Sequence, residues 1–158
     1  GMSRIWSSMP DIYIDADGCP VIEETLQAAE AFGFPVILVC DTSHAFAPEN
    51  AAVLMADKGK DSTDFLLLSH VKKGDLVVTQ DYGLAALVLS KQGYAISCND
   101  IPYTTDNINR LLTMRHGSSM ERKLKMYGSH AKKRTQQDNE RFLDGLYALC
   151  EQLKSKEL

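Results

Sequence analysis

Ile12-Tyr13-Ile14-Asp15-Ala16-Asp17 opens as an aliphatic run and closes on two acids, and Leu76-Val77-Val78-Thr79-Gln80-Asp81 repeats the pattern later in the chain. Between them stand Asp61 and Asp64. Short aliphatic runs mark strands buried on both faces of a parallel sheet, and ligands of open α/β sheets gather outside the strands' carboxyl ends. Acids at two such ends are therefore predicted to face one crevice. Four or five carboxylates meeting there need a cation.

Working outward from these two runs, strand patterns fall near 11–15, 35–40, 52–55, 76–80 and 94–98, separated by helix patterns near 20–33, 61–72 and 82–92. Strand and helix alternate, which predicts a mainly parallel five-stranded sheet, and right-handed crossovers place helices on both faces, giving a three-layer α/β/α sandwich. Pro20 suits the first turn of the first helix, Gly33 its stop, and Gly74-Asp75 a turn before the fourth strand. Asp100-Ile101-Pro102 closes the α/β part. Beyond it, helix patterns near 105–116, 119–127 and 136–153 form a helical extension over 104–158, with a basic loop near 128–135 that is expected to be exposed and mobile. Residues 1–10 are expected to be a tail beginning with an expression remnant, Gly1, and 11–158 a single domain.

The chain's 158 residues and 44% apolar content suffice for one real core. No apolar run reaches the roughly 18 residues of a membrane span, and the start lacks a signal-peptide pattern, so the expected location is cytoplasmic. Cys19, Cys40, Cys98 and Cys150 show no metal-type spacing and read as reduced, mostly buried thiols. The formal charge of −4 conceals an asymmetry: residues 1–109 carry −9, residues 110–134 carry +7 and residues 135–158 carry −2. An acidic body thus bears a basic belt.

Asp15 and Asp17 share a side-chain direction if the strand continues through Ala16, and Asp61 and Asp64 share a face of a helix start. Mg2+ and Mn2+ take hard oxygen ligands, commonly one or two carboxylates completed by water and substrate phosphate. Two such ions about 3.5–4 Å apart serve an in-line displacement at a phosphodiester, one activating a water and the other stabilising the departing oxygen. Other roles compete: Asp61 suits an N-cap with Asp64 favoured by the helix dipole, Asp17 and Asp81 suit turns before helices, and Glu23 and Glu24 suit a helix start. Asp15 fits a purely structural role least, because a charge following three apolar strand residues is costly without a partner.

Tyr13-Ile14-Asp15-Ala16-Asp17-Gly18-Cys19-Pro20-Val21, Gly59-Lys60-Asp61-Ser62-Thr63-Asp64, Gly74 to Asp81 and Leu84-Ala85-Ala86 resemble the YaiI/YqxD family of bacterial proteins, as do Tyr103-Thr104 with Asn107-Ile108, Met114-Arg115, and Asp138 with Arg141-Phe142. The resemblance covers nearly the whole chain. It implies a PIN-like fold with acids at one end of a parallel sheet and a metal-dependent nuclease activity. Asp15, Asp17, Asp61, Asp64 and Asp81 match the family's acidic positions and become the expected metal ligands, with Asp15, Asp17, Asp64 and Asp81 catalytic. Gly83 stands where proline is expected, and Ser129-His130-Ala131 where a Gly-Gly-Pro-like turn is expected.

Arg115, Arg122, Lys123, Lys132, Lys133 and Arg134 are the expected nucleic-acid contacts, acting by salt-sensitive neutralisation of phosphates, with RNA or single-stranded nucleic acid as partner. Tyr82, Tyr103 and Tyr127 offer stacking surfaces for unpaired bases, with partly buried packing the favoured reading of each. Nothing in the chain reads a base sequence. Two other functions compete with a two-metal nuclease using Mg2+ or Mn2+. Asp15-Ala16-Asp17-Gly18 is similar to the opening motif of haloacid-dehalogenase-like phosphatases, in which Asp15 is the nucleophile, although Cys19 stands where threonine is preferred. The other is a non-catalytic RNA- or protein-binding module with a structural cation, since a fold alone does not establish activity.

Overall fold

The computed structural model describes residues 9–16, 19–41, 51–57, 60–116 and 133–157, with the side chains of 60, 61, 114–116 and 156–157 outside that description. Among the described residues, six strands run β1 Ile12–Asp15, β2 Val36–Asp41, β3 Ala52–Ala56, β4 Leu76–Val78, β5 Tyr94–Ile96 and β6 Pro102–Tyr103, and five helices run α1 Ile22–Phe32, α2 Lys60–His70, α3 Tyr82–Ser90, α4 Thr105–His116 and α5 Gln136–Glu157.

All six strands join one sheet in the order β3-β2-β1-β4-β5-β6. The first five are parallel, with Ile12 opposite Val36 on one side and Leu76 on the other. The sixth is antiparallel to β5 and adds to the five strands expected. A hairpin turn makes it: Asp100 adopts a φ of 65°, and the Ser97 N–H donates to the Ile101 carbonyl at 3.0 Å. Two residues carry no periodicity, so this strand has no sequence signature.

Alternation along each strand divides the apolar side chains between two cores. Ile12, Ile14, Leu38, Val78 and Ile96 pack on one face with α1 and α5; Tyr13, Val39, Val77 and Ala95 pack on the other with Leu67 of α2, Leu84, Ala85 and Val88 of α3 and Ile108 of α4. The expected three-layer α/β/α arrangement follows. Helix α5 is a full member of one layer, burying Phe142, Leu146, Cys150 and Leu153 at helical spacing. The helix expected over 119–127 and most of the basic loop lie outside the described residues.

Local chemistry sets the element ends. Gly33 closes α1 at φ 75°, its N–H returning to Ala29 and Glu30. Thr104 and Asn107 cap α4 reciprocally, the Asn107 N–H donating to Thr104 Oγ1 at 3.1 Å and the Thr104 N–H to Asn107 Oδ1 at 2.9 Å. Thr135 and Asp138 repeat the device before α5. Gly145 of α5 lies so close to Asp100 that a Cβ there would collide with the carboxylate, and the helix thus receives the β5–β6 turn against its backbone. Among the described residues, no helix is long and apolar enough to cross a membrane.

Candidate functional site

The strand order reverses between β1 and β4: the chain moves from β1 outward through β2 and β3, then returns to the other side of β1. A crevice opens at such a switch point, beyond the strands' carboxyl ends. Asp15 ends β1 at this place, and Thr79 follows the last residue of β4. The two are joined. Thr79 Oγ1 donates to Asp15 Oδ2 at 2.9 Å and accepts the Asp81 N–H at 3.0 Å, so one fully buried hydroxyl ties the first acid to the backbone of the second. Tyr103 Oη donates to the Thr79 carbonyl at 3.2 Å, bracing the bridge from β6.

Asp81 also works structurally. Its Oδ1 accepts the Leu84 N–H at 3.1 Å, making Asp81 the N-cap of α3. Asp61 and Asp64 lie in the first turns of α2, which leads from β3 back to β4 and therefore starts at the carboxyl edge of the sheet. Between them Thr63 is 4% exposed, and its Oγ1 has no hydrogen-bond partner among the described residues. A buried hydroxyl in that state costs about 1–3 kcal/mol unless something else satisfies it. The Asp61 side chain and all of Asp17 lie outside the described residues.

Carboxylate and hydroxyl oxygens form a hard donor set of the kind suited to Mg2+ or Mn2+. Among the described residues, no group of three or more His, Cys, Asp or Glu side chains is arranged to hold a metal ion.

Cys19 and Cys98 adjoin the acids. Their Sγ atoms lie 3.5 Å apart, and both thiols are free and buried. The shared hydrogen bond and burial hold the Cys19 thiol far above its ordinary range. The same hydrogen bond, reinforced by the Arg134 guanidinium, lowers that of Cys98.

Of the expected nucleic-acid contacts, Arg134 is committed to the fold: Nη2 donates to the Cys98 carbonyl at 2.7 Å, Nη1 to Asn99 Oδ1 at 3.2 Å and Nε to Asn139 Oδ1. Around it, Lys133, Arg141, Asp138 and Asn99 line a cavity of about 410 Å3. Lys133 is exposed there. The Arg115 side chain, Arg122, Lys123 and Lys132 lie outside the described residues. Tyr103 is buried edge-on against Tyr82, with ring centroids 6.2 Å apart, and is a packing residue rather than a stacking surface.

Thr79 and Tyr103 are absent from the acids and bases singled out in the sequence, yet they assemble the crevice. The one signal for Thr79 is a hydroxyl in an otherwise aliphatic strand two residues before an aspartate. Tyr103 stands out in the sequence as part of the Tyr103-Thr104 motif and as an aromatic side chain, but not as the partner of Thr79.

Comparison with known proteins returns one consistent answer. The chain matches the family described as "Uncharacterized BCR, YaiI/YqxD family" over residues 13–152. A UPF0178 protein of Exiguobacterium sibiricum is 43% identical over 131 residues, 83% of this chain and 90% of the relative. A UPF0178 protein of Alkaliphilus oremlandii is 42% identical over 136 residues, 84% and 87% of the two chains. One from Natranaerobius thermophilus is 39% identical over 146 residues, 91% and 98% of the two chains. No solved structure matches the chain.

Proposed function

The chain belongs to the uncharacterised YaiI/YqxD family of bacterial proteins, and from that premise we propose that it is a metal-dependent phosphodiesterase acting on RNA or single-stranded nucleic acid. One observation carries the reading: at the switch point, Thr79 Oγ1 joins the carboxylate of Asp15, at the end of β1, to the backbone N–H of Asp81, the N-cap of α3 just beyond β4. Asp15, Asp17, Asp61, Asp64 and Asp81 are the oxygen donors for one or two Mg2+ or Mn2+ ions. Such ions supply activation of a water and stabilisation of charge on the leaving oxygen.

The protein's own residues do the positioning. Thr79 positions the Asp15 carboxylate by donating to Oδ2. The cap at α3 holds Asp81 by one oxygen, which sets the direction of the other. Lys133 and Arg141, at the cavity beside Arg134, provide positive charge for the substrate's phosphates. Arg134 itself shapes that cavity by pinning the β5–β6 turn to the start of α5.

The test is cleavage of a labelled single-stranded RNA with Mn2+, Mg2+ or chelator, for the wild type and Asp15→Asn purified in parallel. Metal-stimulated cleavage that disappears in a folded Asp15→Asn protein is the expected result. Undiminished cleavage by that variant rules out the role given to Asp15. Salt-sensitive RNA binding without cleavage replaces the enzyme with a binding module, and an acyl-phosphate trapped on Asp15 with a small phosphomonoester replaces it with a phosphatase.

A further inference from the structure

Four cysteines are buried in this fold, and two of them meet. Cys19 follows a turn at the exit of β1, its N–H donating to the Ala16 carbonyl at 3.4 Å. Cys98 sits 79 positions later in the turn between β5 and β6. That turn is braced on several sides. Ser97 Oγ accepts the Asn99 and Ile101 N–H groups at 3.2 Å each, Arg134 holds the Cys98 carbonyl, and Asp100 rests against Gly145. The sulfurs are brought to 3.5 Å by tertiary structure rather than by chain proximity.

We propose that Cys19 and Cys98 form a reversible dithiol–disulfide modification site beside the acidic crevice, oxidised by a peroxide. A disulfide needs an S–S distance of about 2.05 Å, so the sulfurs need to approach by only about 1.5 Å. One of the two thiols loses its proton and its sulfur attacks one oxygen of hydrogen peroxide; the O–O bond breaks, and the released hydroxide takes up that proton as water. The other sulfur then attacks the sulfenic sulfur, forming the S–S bond as the S–O bond breaks. The second hydroxide leaves with the remaining thiol proton as water. Two thiols and one peroxide give one disulfide and two waters, and a dithiol reductant reverses the change.

The bond ties the exit of β1, four residues after Asp15, to the hairpin that also carries Tyr103 toward Thr79. Oxidation thus cross-links the segment after Asp15 to the hairpin whose Tyr103 braces Thr79. The proposal does not depend on what the crevice binds.

The experiment treats the reduced full chain with a small molar excess of hydrogen peroxide, alkylates it under denaturing conditions, and follows intact mass and peptide maps. The expected result is a loss of about 2 Da, two cysteines protected from alkylation, and one cross-linked peptide pair joining Cys19 to Cys98 that reductant separates. Cys98→Ser is expected to lose the cross-link, whereas Cys150→Ser keeps it. The wild-type peptide map decides the matter even if a serine variant folds poorly. Full alkylation of Cys19 and Cys98 after peroxide, or a cross-link that pairs either with Cys40 or Cys150, overturns the proposal.

Discussion

The two ends of this sheet bury aspartate in different ways. At the amino-terminal edge Asp75 is 1% exposed and surrounded by donors: the Asp11 N–H at 3.0 Å, the Lys72 N–H at 2.8 Å and the Lys72 ammonium at 3.5 Å. Burial nevertheless pushes its carboxyl above the ordinary range, and the amides and Lys72 pull the other way. At the carboxyl edge Asp15 receives a hydroxyl that also receives Asp81's backbone. The first arrangement neutralises a charge and anchors β4 to the start of β1. The second joins the carboxylate of one acid to the backbone of another. An aspartate's chemistry here follows from the edge of the sheet it occupies, because a parallel sheet presents its crevice at one edge only.

The widest separation between the edges should come from activity. Asp15→Asn is expected to lower metal-dependent cleavage roughly 1,000-fold, about 4 kcal/mol of transition-state stabilisation, while its thermal midpoint without metal stays at or above that of the wild type. A large fall in that midpoint would make Asp15 a structural residue like Asp75 and erase the contrast. Asp75→Ala should do the reverse, costing about 2–3 kcal/mol in chemical denaturation because two buried N–H groups lose their acceptor, with cleavage by the folded fraction unchanged. Asp81→Ala is expected to combine both effects, losing about 1 kcal/mol of helix capping together with metal response.

The subtlest contrast is in the pH profile. Burial, with the nearby Asp75 and Asp11 charges, raises the Tyr13 phenol at the amino-terminal edge to about 12. A folded pKa above the unfolded value of 10.0 means that Tyr13 favours the fold fully below pH 10 and loses that contribution as pH rises through about 12. Tyr13→Phe should therefore flatten the decline in stability between those values, although it removes the hydrogen bond to the His70 carbonyl. Denaturation midpoints followed across alkaline pH, with tyrosinate absorbance as a control, check the sign. An unchanged slope would place the alkaline loss elsewhere.

Much of this architecture is legible in the sequence because it is local. The aliphatic runs at Ile12 and Leu76, the stop at Gly33 and the turn at Gly74 each carry a short-range cause, and each lies where the pattern predicts. Long-range pairing is what the chain conceals. Asp75 reads as a turn residue, yet its carboxylate meets Asp11, 64 positions away. Thr79 reads as one more strand residue, but β4 ends at Val78 and the hydroxyl is released to bridge two acids. In α5, Phe142, Leu146, Cys150 and Leu153 are buried and Leu149 is half-buried against the same core, a stripe selected by packing against α1 and the sheet. Several motif residues also turn out to have structural duties. Thr104, Asn107 and Asp138 cap helices, and Arg134 holds a turn.

A crystal of the protein soaked in Mn2+ tests the central claim most directly, through an anomalous difference map at the manganese edge. The account predicts a peak at the carboxyl edge of β1 and β4, about 2.0–2.3 Å from a carboxylate oxygen of Asp15. Saturating Mn2+ that leaves no peak beside an ordered Asp15, or that settles only at the Asp75 end of the sheet, contradicts it.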